Sequence, residues 1–167
     1  MTQISPLSPA DGPAVLDFER RNRSYFARFV PDRGDAYFTE FNLRLALLLA
    51  EQEAGTCRFF LVRDDDGDLV GRVNLVDIED GEAALGYRVG ETATGRGHAR
   101  AAVALVLGEA ARVGVSLVRA MTTVDNEASR RVLGANGFVE VPGEPAQVEG
   151  HGGLLRPAVH YELRLGI

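Results

Sequence analysis

The sequence predicts a mixed α/β fold: a mostly antiparallel seven-stranded sheet with four helices. Three observations carry this reading. Between residues 58 and 89, three strand patterns follow one another, joined by tight acidic turns and free of internal proline. A long helical pattern from Gly97 to Val113 separates the last of them from a further strand pattern, so the chain crosses over and leaves a parallel neighbour across that crossover. A length of 167 residues, 46% hydrophobic and 25% charged, suits one domain, 1–167, with a single substantial core.

Taken in order, Gln3 to Leu7 reads as a short edge strand stopped by Ser8-Pro9. Asp11 can cap the next helix, with Pro13 in its first turn and Val15, Leu16 and Phe18 as its apolar stripe. After the basic Arg20-Arg21-Asn22-Arg23 and a loop around Pro31, a second helix is expected from Asp35 to Glu53. Tyr37, Phe38, Phe41, Leu45, Leu48 and Leu49 would form its buried face, and the same region could wall a pocket. Phe59-Phe60-Leu61-Val62 marks a central strand. Asp64 to Asp68, with its Asp-Gly pair, marks a solvated hairpin. Leu69 to Ile78 and Glu82 to Val89 complete the meander. Gly114 caps the helix begun at Gly97, and Val115 to Thr122 is the fifth strand. A helix from Asp125 to Ala135, a sixth strand from Phe138 to Val141, a Gly/Pro-rich loop over 142–157 and a closing strand from His160 to Leu165 finish the chain.

Composition narrows the function. Cys57 is the only cysteine, so no intramolecular disulfide can form and a reducing, cytoplasmic setting is expected. Three scattered histidines make no ligand spacing, and the acidic turn lacks the EF-hand pattern, so no metal is expected. A net charge of −6 argues against nucleic acid and mildly favours a cationic partner such as an amine. The apolar window from Leu43 to Ala50 is too short to span a bilayer, and no signal peptide is evident, so no membrane partner is expected.

The stretch with most chemistry in it is Thr94-Gly95-Arg96-Gly97-His98-Ala99. It follows a strand and opens a helix. A glycine turn there leaves backbone N–H groups without partners, and the helix dipole adds partial positive charge, which together suit a pyrophosphate. Gly95 and Gly97 remove Cβ atoms from the approach, and Ala99 keeps the first turn small. The P-loop is excluded because no Lys-Ser or Lys-Thr pair exists. The dinucleotide fingerprint is excluded because Arg100 stands in the place of its third glycine.

Thr94 to Ala99 resembles the Q/R-x-x-G-x-G/A motif of the GNAT superfamily of N-acetyltransferases, with Thr94 in the Q/R place. A second stretch, Asp125-Asn126-Glu127-Ala128-Ser129 through Leu133 to Gly137-Phe138, resembles the D-N-x-x-S-x-x-x-L-x-x-x-G-F pattern of the branch containing ribosomal-protein-alanine N-acetyltransferases. Gly86-Tyr87 and Gly71 to Leu75 fit as well, and the predicted element order is the GNAT order over essentially the whole chain. The resemblance implies a sheet splayed between its fourth and fifth strands, with the pantetheine arm of acetyl-CoA pairing with backbone near Val89 and flanked by Asn126. It implies pyrophosphate on Thr94, Gly95, Arg96, Gly97, His98 and Ala99, and cofactor contact from Asn126 and Ser129.

The same resemblance assigns catalysis. Many members carry a tyrosine where Leu133 stands, as the acid that protonates the departing thiolate. Ser129, four residues earlier on the same helix face, resembles the serine this branch uses instead. Where members carry a glutamate base, this chain has Ala84. Glu82 lies two residues before it on the same strand face, roughly 7 Å away, which suits deprotonation through a water that Asn74 could hold. An α-amine, with a pKa of about 8, is partly neutral at cellular pH, whereas lysine at about 10.4 is not, so the lack of a strong base leans toward an α-amine or another low-pKa amine. The expectation is acetyl transfer from acetyl-CoA to a protein N-terminus or a small-molecule amine by direct transfer in a ternary complex, with a homodimer as one possible assembly. The alternative is a catalytically idle module that binds acyl-CoA as a sensor or partner domain.

Overall fold

The computed structural model describes residues 1–143 and 146–166. Residues 144 and 145, inside the expected 142–157 loop, and residue 167, at the end of the expected domain, lie outside the described residues. The strands are β1 Gln3–Pro6, β2 Arg58–Arg63, β3 Leu69–Glu79, β4 Glu82–Val89, β5 Leu117–Thr123, β6 Val139–Glu140, β7 Ala146–Glu149 and β8 Leu155–Arg164. The helices are α1 Gly12–Arg21, α2 Arg23–Phe26, α3 Asp35–Thr39, α4 Phe41–Ala54, α5 His98–Arg112 and α6 Glu127–Ala135. They build one sheet in the order β1-β2-β3-β4-β5-β8-β6, with β7 also on β8. The only parallel pair among these is β4–β5, joined by the crossover through α5.

The apolar run of β2 is buried on both faces. Phe60 and Val62 join the layer under α5, with Val73, Leu75, Val103, Val106 and Val118, while Phe59 and Leu61 pack with Val15, Phe18, Phe26, Phe41 and Leu45 under α1 and α4. Such a strand reads as continuous hydrophobicity because neither face meets water. The acidic turns behave as expected: Gly67 has φ +82°, and Asp80 and Gly81 both lie in the left-handed region, at +51° and +78°.

Three expectations need correction. The helix expected over 35–53 is broken at Glu40 into α3 and α4. The Thr39 hydroxyl donates back to the carbonyls of Asp35 and Ala36, which competes with regular helix continuation. Besides that break, a short helix not expected, α2, lies between α1 and the loop around Pro31 and carries Phe26 into the core, so the described residues form six α-helices rather than four. The expected loop at 142–157 contains strand β7, and β8 begins at Leu155, so the two form a hairpin whose turn runs through Gly152 and Gly153 at positive φ. The sheet therefore has eight strands rather than seven.

Two features open the sheet and shape its gap. β4 and β5 pair only over Glu82–Ala84 against Leu117–Arg119, so Leu85 to Val89 leaves β5 and the sheet parts there. At the mouth of the gap Gly90 packs against the end of α1. A Cβ there would come within 3.1 Å of Asn22 and Phe18, and the Asn22 side chain is tied to the Phe18 carbonyl and to the Glu91 N–H.

Candidate active site

The gap opens into a cavity of about 240 Å³. One flank is formed by Thr94 and Ala99 at the start of α5 and by Asn126, Ala128, Ser129 and Val132 on α6. The other is formed by Tyr25, Phe26, Phe29, Val30 and Arg88, with Tyr87 and Val89 on the β4 edge between them. The chain places both predicted motifs here for local reasons. Gly97, at φ +83°, caps α5 in a backbone state that only glycine adopts without strain. Gly95, at +75°, turns the chain before it, and a Cβ at either glycine would meet no other atom. Among the described residues, the backbone N–H groups of Gly95, Arg96 and Gly97 meet no protein acceptor. Buried elsewhere, such groups would cost stability. Here they leave an open, electropositive turn of the kind that suits an anion. The Thr94 hydroxyl donates to the Glu91 carbonyl at 2.8 Å, holding the turn. The His98 ring is drawn away to Thr2, with Nδ1 3.0 Å from its hydroxyl.

On α6 the Asn126 side chain accepts from the Ser129 N–H at 3.1 Å and caps the helix. That cap leaves the Ser129 hydroxyl free to meet Tyr87, whose hydroxyl lies 2.8 Å away and also reaches the Ser129 carbonyl at 3.2 Å. Tyr87 bridges β4 and α6 across the gap. Burial pushes its phenol above the usual value, against the Ser129 hydrogen bond that lowers it, with Tyr161 adding to the rise. A phenol so placed stays protonated, and either hydroxyl of the pair can be the donor. Leu133 is fully buried in the core, as its chemistry requires.

Glu82 is not brought to this cavity. It sits at the closed end of β4, five residues from Tyr87 and therefore about 16 Å along the strand. There it makes a two-pronged ion pair with Arg119, at 2.6 and 3.3 Å. It does lie beside Ala84 along the strand, but the sheet parts only beyond Ala84, so the residues near the cavity are those after it. Asn74 pairs with Gly86 across β3–β4, and its Oδ1 is buried with no partner. It does not line the cavity.

Several site residues carry no signal in the sequence. Tyr25, Phe26 and Phe29 wall the cavity, whereas Tyr37 and Phe41, of the aromatic run expected as a wall, pack in the core. Among the described residues, Arg88 is the single charged residue in the lining, and no carboxylate or histidine lines it. Its guanidinium lies over the Phe26 ring, 4.5 Å from the centroid, and donates to Glu19 at 3.2 Å. Glu19, with a side chain only 2% exposed, also accepts from Arg72 at 2.7 Å and twice from Arg33 at 3.2 Å. Burial alone would raise its pKa, but Arg33, Arg88 and Arg72 outweigh it and hold the carboxyl below the usual 4.5. Burial and Arg33 draw Arg88 down to about 10 against the opposing pull of Glu19, which still leaves it cationic at neutral pH. Cys57 is buried in the core, and burial raises its thiol pKa, so it is no nucleophile. Asp64, Asp66 and Asp68 bring their carboxylates within 4.8 Å, but Asp64 is occupied with the turn's own N–H groups.

A sheet parted beyond one parallel pair, with a glycine-opened helix start beside the gap, defines a mixed α/β class of domains. The chain belongs to one family within it, the acetyltransferase (GNAT) domain family, whose model matches residues 2–139. Solved structures agree in fold. A ribosomal-protein-S5-alanine acetyltransferase from Vibrio fischeri superposes with a TM-score of 0.90 at 22% identity, covering 98% of this chain and 92% of that one. Mycobacterium smegmatis RimJ, in complex with CoA-disulfide, gives 0.84 at 22%, over 98% and 81%. Spermidine N-acetyltransferase from Vibrio cholerae, in complex with CoA and spermine, gives 0.81 at 17%, over 98% and 95%. No curated protein sequence matches the chain.

Proposed function

We propose that this acetyltransferase moves an acetyl group from acetyl-CoA to an α-amine by direct attack in a ternary complex. The observation that carries the reading is the Ser129–Tyr87 hydroxyl pair, 2.8 Å apart, at the edge of the cavity beside the α5 start. Pyrophosphate seats on the open N–H groups from Gly95 to Ala99, and the pantetheine arm follows the unpaired edge of β4 near Val89. That course brings the thioester to Ser129. The neutral amine attacks the carbonyl carbon, the carbon–sulfur bond breaks, and the sulfur takes a proton from the Ser129 hydroxyl. Tyr87 resupplies that proton. Water returns a proton to Tyr87, which closes the cycle. The amine's own surplus proton leaves to water, because among the described residues no carboxylate or histidine lines the cavity.

That last point supports an α-amine over a polyamine or lysine. With no base at hand, rate depends on the neutral fraction of the acceptor, which is appreciable at a pKa of about 8 and under about a hundredth at 10.4. Ribosomal-protein and spermidine acetyltransferases share the fold, but a spermidine-like cation would have to enter a cavity whose only charge among the described residues is Arg88. The test is a panel of α-amines, polyamines and lysine derivatives, scored by free thiol released in step with acetylated product. Turnover with α-amines is the expected result. Acetyl-CoA binding without thiol release from any amine would make the chain a binding module instead.

A further inference from the structure

The cavity has two unlike flanks, and the cofactor accounts for one of them. With acetyl-CoA against α5 and α6, the flank of Tyr25, Phe26, Phe29, Val30 and Arg88 remains for the acceptor. Most of that flank is apolar or aromatic. Its one charge is a cation, and it is held rather than free: Phe26 lies under the guanidinium at 4.5 Å and Glu19 accepts from one of its nitrogens at 3.2 Å. Behind it, three guanidinium groups, Arg33, Arg72 and Arg88, share the single carboxylate of Glu19. The cluster carries a formal excess of two positive charges. Arg33 and Arg72 each have a closer or second hold on Glu19, while Arg88 makes that one hydrogen bond among the described residues and keeps its remaining N–H groups unpaired.

A preorganised, partly desolvated guanidinium with free donors at an apolar wall fits a carboxylate. It repels a second ammonium group. Resting on the proposed N-acetyltransferase activity, we infer that Arg88 recognises the acceptor, and that the acceptor is an α-amine with a carboxylate close to the amine and an apolar group beside it. Two sources share that chemistry: a free amino acid with an apolar side chain, and a peptide whose first residue is acidic.

Binding to the CoA-saturated protein tests this without requiring turnover, so a failure of acetyl transfer and a failure of acceptor recognition are told apart. Four acceptors are titrated calorimetrically: phenylalanine, phenylalanine amide, and phenylalanine amide extended at its amine by aspartate or by asparagine. Spermidine is the cationic control. A charge-assisted hydrogen bond predicts a roughly ten- to hundredfold preference for the carboxylate within at least one pair. Preference in the first pair assigns a free amino acid, and preference in the second alone assigns an acidic peptide. Arg88→Met should bring the ratio to about one while the stabilisation by acetyl-CoA persists, and Arg88→Lys should keep part of the preference and serves if the methionine variant does not fold. Equal binding within both pairs, no binding of any acceptor, tighter binding of spermidine, or a preference that survives Arg88→Met would each overturn the assignment.

Discussion

At the scale of the residue, the proposed transfer runs through a hydroxyl pair rather than through a carboxylate. Tyr87 touches Ser129 and is held protonated by burial, so its removal should disable proton resupply without emptying the cofactor seat. Tyr87→Phe is expected to lower kcat about a hundredfold, at the low edge of what acid–base assistance supplies. It should cost about 1 kcal/mol of stability, one hydrogen bond's worth. Steady-state kinetics beside urea unfolding checks both, and an unchanged kcat would reduce Tyr87 to a strut between β4 and α6. Glu82 gives the complementary case. Because it is spent on Arg119 at the closed end of β4, Glu82→Gln should leave the pH–rate profile where it was. A selective loss of rate at low pH would restore it as the base.

At the scale of the element, the start of α5 is the part whose shape the sequence shows most directly. Glycine at two positive-φ positions and alanine in the first turn leave room for an anion and little else. Ala99→Glu sets bulk and negative charge on that seat. Acetyl-CoA at about 100 times its dissociation constant should stabilise the wild type by about 2.7 kcal/mol and the variant hardly at all, with the unliganded fold retained. Normal stabilisation of the variant would mean that the phosphates lie elsewhere. Elements of this kind are legible because their cause is local: periodicity for α5, alternating or continuous burial for β2 to β4, left-handed glycines for the turns. Features that the sequence hides have causes in distant parts of the chain. The four residues of α2 are helical because Phe26 seats in the core, and β7 exists because β8 offers it an edge. Arg88 is hidden because an arginine alternating into a strand looks like a solvated face. Only the fold shows Glu19, 69 residues earlier, waiting behind it. Ser129 and Asn126 stand out through their motif, whereas the Tyr87 hydroxyl that completes them depends on how far β4 and α6 diverge.

At the scale of the whole molecule, one partly buried cluster ties the Arg88 flank of the site to the stability of the fold. Glu19 on α1 joins Arg72 on β3, Arg88 on β4 and Arg33 in the loop before α3. Removing its charge strands three cations, so Glu19→Gln should destabilise the protein by about 3–5 kcal/mol at neutral pH. The pH dependence takes its direction from the sign of the shift. The folded carboxyl titrates below its unfolded value of 4.5, so this stabilisation is complete above that value and is lost as pH falls through the lower folded one. Urea unfolding at neutral and acidic pH should show the gap between wild type and variant closing as pH drops below 4.5. A gap that stays constant would mean the carboxylate is not what holds the cluster.

The most direct test of transfer through Ser129 compares Ser129→Ala with the wild type in acetyl-CoA-dependent thiol release to an α-amine, with acetyl-CoA affinity measured in parallel. A hydroxyl that donates to sulfur only as charge develops there stabilises the transition state and not the bound thioester. The expected result is a kcat lower by about 10- to 1000-fold, with acetyl-CoA affinity changed by less than about 1 kcal/mol. Full activity in the variant, or a loss of affinity as large as the loss in kcat/KM, would contradict that role.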